Sequence, residues 1–240
     1  MKKYELMDFS LIDKIIVIDA CADWKTEQGR VYTYLNPVSY LIARKHIPLF
    51  SQMDGIFADG GLLVKAINLL YGKKVTRRSF DMTSMAPDLF AFADEHKKSV
   101  CIVASKDAQL QKAIAIFSNQ YPNIVWKGCR NGYFSSQEEK EQTIKDIIQL
   151  YPDYLIVGMG VVAQEEFLLQ AKQMGFKGIG FTCGGFIHQT AENDIHYYPD
   201  WIDKFNLRFL YRMYKEKHTR KRYIKAGFVF PWLFLKDRFL

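Results

Sequence analysis

From about residue 50 to residue 182 this chain alternates short β-branched runs with longer amphipathic stretches, and that alternation leaves few folds open. The runs "KIIVID" (14–19), "GIFAD" (55–59), "VCIVAS" (100–105), "NIVWKG" (123–128), "DYLIVG" (153–158) and "GIGFT" (178–182) read as strands buried on both faces of a parallel sheet. Between them lie the helical stretches "LLVKAINLLYG", "APDLFAFADEHKK", "AQLQKAIAIFSNQ", "SSQEEKEQTIKDIIQLY" and "QEEFLLQAKQMG". Ser135 or Ser136 caps the fourth of these, and Gly72 and Gly175 stop the first and the last. The expected fold is α/β: a doubly wound, mostly parallel sheet with helices on both faces. With 240 residues, 49% of them hydrophobic, the chain can bury a full core in one such domain, placed at residues 1–200.

Charge sets the remainder apart. From Lys204 to Leu240 eleven Lys and Arg stand against two acids, a net +9, while the other 203 residues sum to −2. Residues 201–240 therefore read as a basic, aromatic-rich, helical C-terminal appendage. Its longest apolar run, "AGFVFPWLFL", is too short to span a bilayer. Cations interleaved with aromatics suit an anionic membrane surface, a helix packed on the domain with a solvated basic face, or nucleic acid. No RNP, zinc-finger or helix-turn-helix signature supports nucleic acid. The opening "MKKYELMDFSLIDK" has no apolar h-region, which predicts a cytoplasmic protein. Cys21, Cys101, Cys129 and Cys183 are scattered and read as small buried hydrophobes, so neither a disulfide nor a metal is expected. The polar face of "LLVKAINLLYG" and the exposed aromatics are compatible with a homo-oligomer without requiring one.

Two stretches carry chemistry. "GIFADGGLL" (55–63) ends a strand on Asp59 and follows it with glycines, at the carboxyl edge where ligands of open α/β sheets bind. Gly60 lets the backbone approach a ligand, and the helix that follows offers free amides to an anion; alternatively Asp59 caps that helix. "IVGMGVVAQEE" (156–166) is a strand, a glycine turn and a helix. Gly158, Gly160 and Ala163 fit GxGxxA, a dinucleotide fingerprint, yet the following strand ends "GFTCGGF" without the acid that would hold a ribose. Gln164 and Glu165 fall in the first turn of that helix.

The blocks "FADGGLL", "RRSFDMTS", "GCRNGYF", "VGMGVVAQEEF", "CGGFIHQTA" and "YYPDWIDKFNLRFLYRMYKEKHTRKRY", in this order from about Thr33 to Tyr223, resemble the WecG/TagA/CpsF glycosyltransferases of bacterial surface-polysaccharide synthesis. The resemblance implies a metal-independent, cofactor-free, inverting transfer of a sugar from a UDP-sugar donor to a polyprenyl diphosphate-linked sugar, at the inner face of the cell membrane. It makes Asp59 the catalytic base. It assigns Thr33, Asn36, Gly60, Arg77 or Arg78, Asp81, Gly158, Gly160, Gln164, Glu165 and Gly185 to the donor side. Arg212, Arg220 and Arg222 match basic tail positions that would close over the diphosphate, and the tail would also meet the membrane. His188 is a candidate sugar contact.

The sixteen aspartates form no DxD pair to carry a metal on the leaving diphosphate, so its charge needs arginines and helix amides instead. Several positions depart from the family pattern. The proline of "GxPxQE" is Val162, the basic residue after it is Ala163, an acid is replaced around His188, and "RAP" reads Tyr197-Tyr198-Pro199. "LEW" reads Leu207-Arg208-Phe209, a later proline is Lys217, and the threonine two places before Asn36 is Tyr34, beside Thr33. The competing expectations are a catalytically silent nucleotide- or lipid-binding module and a dinucleotide-dependent enzyme.

Overall fold

The computed structural model describes residues 11–19, 23–193, 202, 208–215 and 219–239. Cys21, Tyr197-Tyr198-Pro199, Leu207, Lys217 and the expected boundary at 200/201 lie outside the described residues.

Six strands form one sheet: β1 (Val31–Leu35), β2 (Gly55–Ala58), β3 (Ser99–Ala104), β4 (Val125–Trp126), β5 (Tyr154–Gly158) and β6 (Ile179–Thr182). Their order is β2-β1-β6-β5-β3-β4, and every pairing is parallel. The register aligns Leu35 with Ala58 and Val157 with Thr182, so the carboxyl ends of the inner strands form one edge. Side chains of β2, β3 and β6 are buried throughout, as expected of strands covered on both faces.

Two expectations need correction. "KIIVID" is not a strand but the core of helix α1 (Leu11–Asp19). Seen over nine residues, Leu11, Ile12, Ile15 and Ile18 recur at helical spacing, and all four are buried. The strand on that side of the sheet is instead β1, "VYTYL", which lies centrally between β2 and β6. Of "NIVWKG" only Val125 and Trp126 pair, at the sheet edge beside β3.

The helices cover both faces. One face is packed by α1, α2 (Pro37–Ala43), α3 (Ile47–Phe50), α4 (Gly61–Tyr71), α7 (Gln137–Leu150) and α8 (Ala163–Gln173). The other is packed by α5 (Met85–Glu95), α6 (Asp107–Gln120) and α9 (Phe186–Asn193). Of the two caps considered for α7, Ser136 is the one used, its hydroxyl accepting the Glu139 N–H at 3.2 Å. Gly72 ends α4 in the left-handed conformation that glycine adopts without penalty.

The appendage contains α10 (Arg208–Lys215) and α11 (Arg220–Phe239). Ala226, Phe230 and Phe234 of α11 are buried. Phe230 and Phe234 pack on Tyr40 of α2, and Phe234 also meets Tyr71 at the end of α4. Asp237 accepts hydrogen bonds from Tyr40 Oη at 2.8 Å and from both sides of the Arg44 guanidinium. Phe234→Ala should weaken this docking by about 3 kcal/mol. Hydrogen exchange would check it: amides of residues 220–239 should exchange faster while those of β3 and β5 keep their protection.

Candidate active site

A cleft of about 500 Å³ opens at the carboxyl edge of the sheet, where β2, β1 and β6 end and α4, α9, α10 and α11 begin or pass. Asp59 stands on its wall. Its backbone N–H continues the ladder by donating to Leu35 O at 2.8 Å, so β1 holds it in place. The helix that follows has Gly60 at its N-cap, with φ 96°, one residue after Asp59. Arg77 lies 3.6 Å from Asp59 and 3.2 Å from Asp81, bridging the two acids. Asp81 also accepts from the Ser79 hydroxyl at 2.7 Å and from Thr83 N–H at 2.9 Å, so its oxygens are spent on the loop. Of the two adjacent arginines, Arg77 lines the cleft, while Arg78 lies over the Phe57 ring.

Beneath the floor sits a fully buried carboxylate, Glu165. Its Oε1 accepts from Thr33 Oγ1 at 2.7 Å and from Gln164 Nε2 at 2.9 Å, and its Oε2 accepts from Val162 N–H at 2.6 Å. Because the one Thr33 proton goes to Glu165, the 2.9 Å contact between Thr33 and Thr182 has Thr182 as donor. Gln164 Oε1 accepts Gly184 N–H at 3.2 Å. That assigns the amide: oxygen toward Gly184, nitrogen toward Glu165, with one N–H left for the cleft that Gln164 lines. Burial pushes the Glu165 carboxyl upward, opposed by its hydrogen bonds from Thr33, Gln164 and Val162. Val162 itself has φ 80° and ψ −57°, a strained conformation for a β-branched residue, and one that proline's ring would forbid. Strain of about 1–3 kcal/mol at this turn is held by the Glu165 bond.

Of the expected site residues, Asn36, Asp59, Gly60, Arg77, Asp81, Gln164, Gly185 and Arg212 line the cleft. Asn36 does so while capping α2, its Oδ1 accepting from Val38 N–H and Ser39 N–H. Arg212 reaches over Gly185, where an added Cβ would lie 3.8 Å from its terminal nitrogen. Thr33 and Glu165 support the floor instead of lining it. Gly158 permits close packing, since a Cβ there would come within 2.7 Å of Cys183 Sγ and Gly184 O, and Gly160 supplies the positive φ of the turn.

His188 lies outside the cleft lining. Its Nδ1 is 2.7 Å from Gln109 Nε2, and its Nε2 is 3.4 Å from Glu192. Arg220 donates to Met213 O at 2.7 Å at the end of α10, and Arg222 is exposed; neither lines the cleft. Of Thr33 and Tyr34, between which the sequence leaves the family threonine position open, Tyr34 lines the cleft; sequence reasoning missed Lys65, Phe80 and Thr182 as lining residues. For Tyr34 the signal was "VYTYL" itself, whose β-branched and aromatic residues mark a strand ending at the site.

Among the described residues no His, Cys, Asp and Glu cluster could hold a metal ion. Cys183 lines the cleft, but burial pushes its thiol up to about 12, so it stays protonated and is no nucleophile. What the cleft offers is a partly exposed carboxylate, three lining cations and polar groups of fixed orientation.

Comparison with known proteins gives the family. The model of the "Glycosyl transferase WecG/TagA/CpsF family" matches residues 7–240. The chain is similar to a UDP-Gal:alpha-D-GlcNAc-diphosphoundecaprenol beta-1,4-galactosyltransferase of Shigella boydii, with 39% identity over 193 residues that cover 80% of each chain. It is also similar to an N-acetylglucosaminyldiphosphoundecaprenol N-acetyl-beta-D-mannosaminyltransferase of Bacillus subtilis, with 24% identity over 77% of this chain and 71% of the relative. A Staphylococcus aureus protein (strain NCTC 8325 / PS 47) of the same description is 25% identical over 70% of this chain and 63% of its own.

Removing the buried carboxylate tests its role. Glu165→Ala leaves the Thr33 hydroxyl, the Gln164 amide and the Val162 N–H without their acceptor, and should cost about 3 kcal/mol in urea unfolding. Glu165→Gln tests the charge. Because the folded-state pKa is raised, the contribution of Glu165 is complete below the ordinary carboxylate range and is lost as pH rises through the raised value. The Gln variant should lack that component of the pH dependence of stability.

Proposed function

The chain belongs to the WecG/TagA/CpsF glycosyltransferase family, and from that premise we propose that it moves a hexose from a UDP-sugar to a polyprenyl diphosphate-linked N-acetylglucosamine. Galactose is the preferred donor sugar, because the 39% identical relative is named for it while the relatives near 25% are named for N-acetylmannosamine.

The observation that carries the reading is Asp59, fixed at the end of β2 with its carboxylate facing the cleft and Arg77 beside it. In the proposed reaction the Asp59 carboxylate takes the proton of the acceptor hydroxyl. The oxygen's electron pair forms a bond to the anomeric carbon from the face opposite UDP. The bond between that carbon and the β-phosphate oxygen breaks, its electrons leave with UDP, and configuration inverts. No metal is required in this scheme. Arg212 and the amides at the start of α9 supply positive charge to the departing diphosphate, and the remaining Gln164 N–H contacts the donor.

The same reading places the protein at the inner face of the bacterial cell membrane, resting on its appendage. Among the described residues no helix is long and apolar enough to cross a membrane. Phe228 and Trp232 of α11 are 81% and 65% exposed, next to Lys221, Lys225 and Lys236 on the solvent side. Aromatics and lysines so placed suit an anionic leaflet.

Release of UDP should be seen with UDP-galactose and a short-chain polyprenyl diphosphate-N-acetylglucosamine acceptor, with EDTA present, and not with the acceptor omitted. Asp59→Asn should lower kcat by at least a hundredfold while UDP binding stays within twofold, whereas near-normal turnover would remove Asp59 as base. In a separate check, Phe228→Glu with Trp232→Glu should abolish flotation with vesicles containing anionic lipid and leave transfer to a water-dispersed acceptor in place.

A further inference from the structure

Three cations line the cleft: Lys65, Arg77 and Arg212. Arg77 is committed to Asp59 and Asp81, and Arg212 reaches over Gly185. Lys65 has no hydrogen-bond or ion-pair partner among the described residues, and its side chain is exposed. It stands on α4, one helical turn past Gly61 and so about 6 Å along the helix from the glycines that follow Asp59. The two exposed leucines of α4, Leu62 and Leu69, are seven residues apart and share one side of the helix. Leu62 lines the cleft, and Leu69, 82% exposed, continues that side away from it.

Helix α11 packs on α2 and faces α4 across the cleft. Tyr223 and Gly227 line the cleft with Leu62 and Lys65, while farther along Arg238 donates to Leu70 O at 3.2 Å and stacks on Tyr71. The exposed residues Ile224, Phe228, Leu235 and Phe239 recur at spacings of four, seven and four, which draws one stripe along α11. On the helical wheel this stripe lies opposite the side buried by Ala226, Phe230 and Phe234 and faces outward, while Gly227 and Arg238 flank it on the side of α4 and Asp237 turns to Tyr40. A cation without a partner therefore opens onto the mouth between α4 and α11, a seam whose α4 side carries exposed leucines.

We propose that Lys65 binds the diphosphate of the lipid-linked acceptor and that the seam between α4 and α11 receives the first isoprene units. This rests on the reading of the preceding subsection. A sugar presenting a hydroxyl to Asp59 carries its diphosphate across the ring, about one helical turn away along α4. The isoprenoid chain then leaves past Leu62 and Leu69. A diphosphate with an apolar tail matches a free ammonium followed by exposed leucines in both charge and polarity.

The test uses the full chain, UDP-galactose and short polyprenyl diphosphate-N-acetylglucosamine acceptors of two and four isoprene units. Lys65→Gln should raise the acceptor KM on the order of tenfold while the donor KM and UDP binding stay within twofold, and Lys65→Arg should recover most of the loss. Leu69→Ser should reduce the gain in acceptor affinity that lengthening the chain brings to the wild type. Since both side chains are exposed, the variants should keep the wild-type melting temperature. Unchanged acceptor KM in Lys65→Gln with an active wild type overturns this inference alone, as does an equal rise in donor and acceptor KM. An undiminished chain-length gain in Leu69→Ser overturns the seam. A wild type that transfers sugar to no acceptor rejects the proposed function and this inference with it.

Discussion

The buried carboxylate of Glu165 is the constraint that the cleft hangs on. A fully buried acid with no ion-pair partner among the described residues is stable only if its oxygens are filled by donors, and here they come from three different parts of the chain. Thr33 belongs to β1, Gln164 to α8, and Val162 to the turn after β5. Through Thr182 and Gly184 the same network reaches the end of β6. Charged hydrogen bonds of this kind are worth about 1.5–3 kcal/mol each, enough to hold one strained residue and one amide orientation. The network thus turns the parallel pairing of β1, β6 and β5 into a floor on which Gln164 has one rotamer and one polarity.

The location of the site was legible in the sequence because it depends on local chemistry. An acid closing an apolar run, glycines after it, and a second glycine turn leading into "QE" place both halves of the cleft at strand ends without tertiary information. What sequence reasoning missed was decided by neighbours. "KIIVID" is apolar enough for either state, and only the wider spacing of Leu11, Ile12, Ile15 and Ile18 favours helix. "VYTYL" has polar atoms at Thr33 and two tyrosines, and it is central only because Glu165 satisfies Thr33. His188 has a base's chemistry and a loop's setting, yet α9 turns it toward Gln109 and Glu192. Arg77 and Arg78 are adjacent and differ only in direction, a distinction that belongs to packing on Phe57.

The appendage illustrates a limit of periodicity. Helix α11 is apolar on two sides, one buried by Phe230 and Phe234 against α2 and one exposed through Phe228 and Trp232. Two opposed apolar stripes cancel in any one-sided measure of amphipathicity, so a packed helix and a membrane-facing helix are not alternatives here. Docking by Tyr40 and Arg44 on Asp237 fixes which side is left outward.

Asp59 lies where these two systems meet. On one side the floor built on Glu165 gives the Gln164 amide and Gly184 fixed directions, which suits a group whose charge grows during reaction. On the other side α4 and α11 carry exposed side chains over helices joined by few polar contacts, which suits a long and variable ligand. Arg77 bridges Asp59 and Asp81, dividing its charge between the two. The contact with Asp59, at 3.6 Å, is the longer of the two, and that with Asp81, at 3.2 Å, the closer. Had Asp81 been absent, Arg77 could close fully on Asp59 and compete with any hydroxyl that approached it. The acid of "RRSFD", Asp81, thus shares with Asp59 the arginine that stands between them.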